Sequence, residues 1–290
     1  MKNNLIKRSK IRLFIVILVI ACSILNFLLI KFESKRWVDA DVTVPLPFEI
    51  NILSTGKSDF ILIECEGKFV IIDTGFYENS EKIKEFLNFK GVEEIEYLVL
   101  THNDKDHIGG APVILDNFKV DNLIQADYKK GTVQYKNYIK AIERNNIEPI
   151  LLHNNIVTNI NGAKITMYPA VKESYEKSND YCIIVGVDYG DYRFLFAADA
   201  EDERMKEFIK EDTGTYTFLK MAHHGIYNAE VGNFLDSVSP DYAAVTCSNF
   251  MYPHRKLISL LEKYKIKTFY TSSGDITIKS DGENIYFIQK

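Results

Sequence analysis

From residue 48 onward, apolar residues arrive in short runs bounded by turn formers. FEINILS, DFILIEC and KFVIIDTG read as strands. ENSEKIKEFLNFK then spaces its apolar side chains three and four apart, the period of a helix with one buried face. The strand IEYLVL runs directly into THNDKDHIGG (101–110), and Ile108 to Phe118 predicts a helix whose N-terminus faces that stretch. NLIQAD, a helix over about 133–146 and EPILLH continue the alternation of strand and helix. Next come three strands (KITMYP, YCIIVGVDYG, YRFLFAAD) and the helix AEDERMKEFIKE. TYTFLKMA, DYAAVTC and KTFYTS are again strands, with helices near 229–237 and 254–264, and GDITIKSDG with NIYFIQK predicts a closing hairpin. Strand-rich halves with helices between them indicate two packed sheets with helices outside.

The N-terminus breaks this pattern. Residues 1–12 are basic, 13–30 (LFIVILVIACSILNFLLI) carry no charge, and 31–47 form a linker that includes Pro45 and Pro47. An apolar run of 18 residues has the length to cross a bilayer as a helix. Lys2, Lys7, Arg8, Lys10 and Arg12 precede it, against Lys31, Lys35 and Arg36 after it, which favours a cytoplasmic N-terminus. VIAC (19–22) is similar to a lipoprotein processing box centred on Cys22, yet SILNFLLI after it stays hydrophobic. A retained single-pass anchor is therefore expected, with the 48–290 domain outside the cytoplasm at the cell membrane.

Charge divides at the same boundary. Residues 1–37 hold 8 of the 35 Lys/Arg and 1 of the 40 Asp/Glu, leaving 27 against 39 and a charge of −12 on the rest. Such a domain does not hold nucleic acid by its general field, so a polyanion needs a local basic strip or metal ions. YKKGTVQYKNYIKAIER (128–144) offers such a strip, with tyrosines for stacking, although a solvated helix accounts for it as well. Cys65, Cys182 and Cys247 lie in apolar runs without a CxxC pair, which predicts buried thiols. A phosphate-loop reading of GKS at 56–58 fails, because the required earlier glycine is Asn51.

The chemistry gathers at strand exits, where loops on a rigid sheet place functional groups. Asp73 ends FVIID, His102, Asp104, Asp106 and His107 follow LVL, and Asp199 ends FLFAAD. His223 and His224 follow FLKMA, and His254 follows DYAAVTCSN. Carboxylates and imidazoles this dense repel one another unless a cation lies among them, and divalent ions take these donors. His102 with Asp104 could serve one ion and Asp106 with His107 another, with Asp199 as the bridge. Asn103 and Lys105 read as solvent-facing spacers, and Asp106 alone would read as a helix cap.

HxDxDHxGG after a buried strand, an earlier DTG, a later AD, then HHG and a last His resembles the metallo-β-lactamase superfamily. The order is similar to that of the competence-type (ComEC-like) hydrolase domain, to which TGKSDFILI, SNDYCIIV and YTSSGDITIKSDG also correspond. The resemblance covers about 48–290. It implies a four-layer αββα sandwich and a site between the sheets holding two divalent metal ions, zinc or manganese. Asp104 stands where the broader superfamily has His, which shifts the preference toward manganese. Ala198 replaces a usual Gly, Ile226 a usual Ser, and YPH a usual YGH.

Carried over by position, the resemblance implies His102 and Asp104 on one metal, Asp106, His107 and His254 on the second, and Asp199 bridging. Asp106 and His223 are the catalytic candidates, His223 as a ligand or as proton donor to the leaving oxygen. Asn179, Asp180 and His224 are possible additional site residues, and Asp73 a supporting one. The expected function is a membrane-anchored, metal-dependent hydrolase that attacks phosphodiester bonds of single-stranded DNA or another nucleic acid with a metal-bound hydroxide. The alternatives are a small ester, lactam or wall-derived substrate, or a non-catalytic metal-binding module. One span cannot form a DNA channel.

Overall fold

In β1 (Phe48–Ile52) the side chains of Phe48, Ile50 and Ile52 join one core, while Glu49 and Asn51 lie on the opposite face. This period of two repeats in β2 (Ile61–Cys65), β3 (Lys68–Ile72) and β4 (Glu94–Leu100), so each strand feeds two cores. The computed structural model describes residues 45–290. The expected anchor at 13–30, the basic segment before it and the linker up to residue 44 lie outside the described residues. Among the described residues no helix is long and apolar enough to cross a membrane.

The first sheet adds β5 (Lys119–Gln125), β6 (Ile150–Leu151) and the terminal hairpin of β14 (Ile276–Ser280) and β15 (Ile285–Gln289). Its order is β15-β14-β1-β2-β3-β4-β5-β6, parallel from β3 to β6. The second sheet contains β7 (Ile156–Ile160), β8 (Ala163–Tyr168), β9 (Ile184–Tyr189), β10 (Tyr192–Phe196), β11 (Phe218–Lys220), β12 (Tyr242–Val245) and β13 (Lys267–Tyr270). Its order is β13-β12-β11-β10-β9-β8-β7, parallel from β10 to β13.

Between the sheets Phe48, Ile50, Ile63 and Val70 meet Ile165, Val185, Phe194 and Phe218 in one continuous core. Helices α1 (Ser80–Phe89), α2 (Lys105–Ile108), α3 (Ala111–Asn117) and α4 (Val133–Arg144) belong to the first half; Ile83, Leu87, Ile114 and Tyr138 pack on its outer sheet face. Helices α5 (Asp202–Glu211), α6 (Val231–Val238) and α7 (Arg255–Lys263) cover the second sheet through Met205, Phe208, Phe234, Leu235, Leu257 and Leu261. The result is the expected four-layer αββα arrangement.

The sequence missed β7, a sheet-edge strand with no fully buried position, because exposure removes the apolar signal. It also read Ile108–Phe118 as one helix, where the chain forms α2 and α3 broken at Gly109-Gly110. Both positions need glycine for a close backbone approach. A Cβ on Gly110 would lie 2.3 Å from the Thr74 carbonyl oxygen, and one on Gly109 2.5 Å from Tyr77 N. Thr74 donates to the His107 carbonyl through N and Oγ1, both at 2.7 Å, so DTG and the HxDxDHxGG loop lock together backbone against backbone.

Candidate metal centre

Neighbouring parallel strands end at the same edge of a sheet, and these ends carry the site. β3 delivers Asp73, β4 delivers Thr101 and the 102–107 loop, and β10 delivers Asp199. β11 delivers His223 and His224, and β12 delivers Thr246. Four non-glycine residues here take left-handed backbone: Asp73 (φ 59°), Ala198 (48°), His223 (47°) and His224 (51°). Each costs roughly 1–2 kcal/mol relative to the right-handed region, and such strain concentrates where side chains must be aimed. Ala198 thus occupies a conformation that glycine takes freely, which explains the resemblance's usual Gly.

Asp199 is the centre of the cluster, with a different set of partners for each carboxylate oxygen. Oδ1 lies 3.3 Å from His107 Nε2 and 3.4 Å from His224 Nε2, and His224 Nε2 is 3.4 Å from Asp106 Oδ2. Oδ2 lies 3.7 Å from His223 Nε2 and 3.9 Å from His102 Nε2. Nε2 of His102, His107 and His224 and Oδ1 of Asp199 are buried without a hydrogen-bond partner. Native interiors rarely leave such atoms unpaired. Four of them converging is the signature of a site that takes a cation.

The opposite ring nitrogens fix which lone pairs face inward. Thr101 Oγ1 donates to Asp73 Oδ2 at 2.7 Å, so its lone pair takes the Nδ1–H of His102 at 3.1 Å. His107 donates from Nδ1 to Asp73 Oδ2 at 2.7 Å. Thr246 Oγ1 donates to Asp59 Oδ1 at 2.6 Å, and therefore accepts from His224 Nδ1 at 2.9 Å. Nδ1 thus carries a proton in all three rings, so in the neutral form of each ring Nε2 presents a lone pair to the Asp199 side. Outer partners of this kind set the tautomer of metal-binding histidines.

Electrostatics agree with this layout. Burial alone would raise Asp199, but His224 and His107 hold its carboxyl well below the usual range, and Asp106 is lowered against burial by His224 and His107. Burial, with His107 beside it, lowers His102 to about 3. Burial would also lower His107 and His224, yet Asp199 with Asp73 raises the first and Asp199 with Asp59 raises the second. Asp59, Asp73 and Asp199 are buried together, and Lys220 is the buried lysine among the described residues, paired to Asp59. The buried carboxylates call for positive charge among them, which the His107 and His224 rings or a cation at Asp199 would supply. Asp59, Asp73 and His107 also cluster, but there the Lys220 ammonium already supplies the positive charge.

The structure thus gathers His102, Asp106, His107 and Asp199, with His223 and His224 completing the ring. His254 is not brought in: it is exposed, and its Nδ1 accepts from Lys256 N at 3.2 Å, capping α7. The second imidazole on Asp106 is His224. Asp104 is partly exposed and pairs with Lys130. Asp180 is turned away, its Oδ1 accepting from Glu201 N and Arg204 N, both at 3.1 Å, to cap α5. Asn179 stays at the rim, with Nδ2 3.3 Å from His223 Nε2 and 3.0 Å from Glu201 Oε1.

Asn103, expected to face solvent, is fully buried, where its backbone N and Nδ2 donate to Tyr128 Oη and O. The tyrosines of the 128–144 strip do not form a stacking track: Tyr135 and Tyr138 are in the core, and Tyr128 stacks on Tyr181. Asp59, Lys220 and Thr246 escaped the sequence reading as functional residues. A lysine inside the apolar run FLKMA was the available signal, since a buried lysine requires a buried partner.

Residues 54–248 match the model of the Metallo-beta-lactamase superfamily. The chain belongs to this superfamily. ComE operon protein 3 of Bacillus subtilis is 24% identical over 257 residues, covering 78% of this chain and 32% of that protein. Recombination protein 2 of Haemophilus influenzae is 25% identical over 244 residues, covering 80% and 29%. The chain spans about a third of the length of these curated relatives. Among solved structures, the metallo-beta-lactamase fold protein YhfI of Bacillus subtilis superposes with a TM-score of 0.51 at 13% identity, covering 79% of this chain and 98% of that one. The competence-type resemblance therefore holds across the domain, and the superfamily fold accounts for both sheets.

Proposed function

We propose that this domain is a metal-dependent phosphodiesterase acting on nucleic acid, single-stranded DNA first. One observation carries the reading: Asp199 turns Oδ1 to His107 and His224 and Oδ2 to His102, three imidazoles whose buried Nε2 atoms have no hydrogen-bond partner. His102 with Asp199 would hold one divalent ion; Asp106, His107 and His224, with Asp199, the other. When bound, such ions supply Lewis-acid polarisation of a phosphoryl oxygen and an acidified water at neutral pH. Asp73, Thr101 and Thr246 orient the rings. His223 differs from the three buried imidazoles in reaching solvent, with 17% of its side chain exposed. Burial lowers the His223 imidazole, and Glu201 Oε1, 3.4 Å from its Nδ1, opposes that and would favour the ring's charged form in giving a proton to a leaving oxygen.

The apolar run at 13–30 supports a placement at the cell membrane with the hydrolase domain outside; protease access to intact cells would test this. The names of the competence-related relatives favour a nucleic acid over a small ester or lactam. The deciding experiment is hydrolysis of end-labelled single-stranded DNA with added manganese, beside an Asp199→Ala control. Manganese-dependent cleavage lost in the control is the expected result. A folded, metal-loaded protein that leaves DNA intact but hydrolyses a small ester or lactam would replace this reading.

A further inference from the structure

Beyond the metal centre, one surface combines cations and rings without an assigned role. Tyr227, Arg255, Lys256, Ser259, Leu260 and Lys263 line an open groove of about 370 Å³. No carboxylate lines it, although the domain around it is acidic. Among the described residues Arg255, Lys256 and Lys263 have no ion-pair partner, whereas Lys68, Lys90, Lys119 and Lys130 each face a carboxylate. The Lys256 ammonium lies 5.5 Å from the Tyr227 ring centroid, and the His254 ring 5.7 Å from it.

The groove begins beside the chemistry. His254 N donates to the Gly225 carbonyl at 3.0 Å, which ties the start of α7 to the residue following His224. Leu257 and Leu261 bury the inner face of α7, so Arg255, Lys256, Ser259 and Lys263 are left along its outer side. At 1.5 Å per residue, Arg255 to Lys263 extends about 12 Å away from the centre. On the neighbouring loop Phe250 is 99% exposed and Tyr252 stacks on Tyr270 at 5.3 Å. Cations for phosphates, with aromatic faces beside them, form the combination that tracks a single strand. The tie between His254 and Gly225, the residue after His224, favours a strand that also reaches the centre over a lipid surface.

We infer that this groove is the subsite for nucleotides flanking the scissile phosphate, with Arg255, Lys256 and Lys263 on phosphates and Tyr227 against a base. The inference rests on the phosphodiesterase reading. The test compares the full chain with its Arg255→Gln/Lys256→Gln variant and with Tyr227→Ala, on a labelled thymidine oligonucleotide and on bis(4-nitrophenyl) phosphate. In the variants KM for the oligonucleotide rises about tenfold, the size of one lost stacking or phosphate contact, while turnover of the small diester is retained. The salt dependence of the double variant flattens by about 1.4 in log–log slope, from two fewer phosphate neutralisations.

An unchanged oligonucleotide KM, with small-diester turnover intact, overturns the groove and leaves the phosphodiesterase reading standing. If the wild type hydrolyses neither substrate, that reading fails. Fluorescence anisotropy of the oligonucleotide under chelation then decides the groove alone: equal binding by wild type and double variant overturns it. Loss in the double variant of binding to phosphatidylglycerol vesicles, with oligonucleotide binding unaltered, overturns it in favour of a lipid surface.

Discussion

Lys220 pairs with Asp59 where neither side chain meets solvent, joining a loop of the first sheet to a strand of the second directly behind His224. Thr246 and Ala198 complete the pair's hydrogen bonds. Removing one member strands the other as a buried charge, at a cost of about 3–5 kcal/mol. Lys220→Met is expected to lower stability by that amount in denaturant unfolding, and Asp59→Asn/Lys220→Met to recover most of it. Equal destabilisation in single and double variants would sink the account.

His224 and His254 separate cleanly by substitution. His224→Ala removes a nitrogen that faces both Asp106 and Asp199, and bound metal and hydrolysis should fall by more than about 100-fold, beyond the loss from an outer partner. His254→Ala removes a helix cap worth about 0.5–2 kcal/mol and should leave metal content intact. Metal analysis of the two purified variants checks both outcomes, and the reverse ranking would restore His254 as a ligand.

The threonines make a subtler prediction. Thr246→Val and Thr101→Val keep volume but lose the hydroxyl that fixes a ring, so metal affinity should fall about 10–100-fold. Thr→Ser at either position retains the hydroxyl and should bind nearly as the wild type does. Calorimetric titration with manganese or zinc distinguishes an orienting hydroxyl from mere packing, in which Ser would behave as badly as Val.

Metal removal should be visible in the melting curve. A cation at 100 times its Kd adds about 2.7 kcal/mol to the folded state. For a domain of this length that raises Tm by roughly 5–10 °C. Scanning calorimetry with and without chelator should show the difference in the wild type and little of it in Asp199→Ala.

Far from the centre, Glu49 governs part of the acid response. Burial opposes its ionisation, but Lys90, Asn51 and Lys279 outweigh burial and hold its carboxyl below the ordinary value. A folded-state value below the unfolded one gives stability that is present above about pH 4.5 and lost as pH falls through the lowered value. Glu49→Gln should therefore lose stability at neutral pH and show a shallower decline below pH 4.5. Unfolding curves across pH 3–7 provide the check.

Strand and ligand positions were readable for different reasons. Short apolar runs revealed β1 to β4, of which β2, β3 and β4 feed a different core from each face, and the density of the 102–107 loop marked one half of the site. Spacing could not choose between His224 and His254, since both follow strand exits. The left-handed pair His223-His224 turns one imidazole toward each side of Asp199, a backbone feature without a compositional sign. Asp59 and Thr246 resemble ordinary turn residues until folding brings them together across 187 positions. The tyrosines at 135 and 138 sit on a helix whose polar pattern hid how deeply they pack.

The division of the centre between two sheets has a consequence for how activity arises during synthesis. Asp59, Asp73, His102, Asp106 and His107 emerge early with β2 to β4; Asp199, His223, His224 and Thr246 arrive only with the second sheet, before β14 and β15 complete the first. A nascent chain ending before Asp199 carries half the donors and no bridge, and one ending before β14 still lacks part of the first sheet. Hydrolytic competence is thereby tied to the final docking of the two halves, so an unfinished chain is inert toward whatever the finished enzyme cuts.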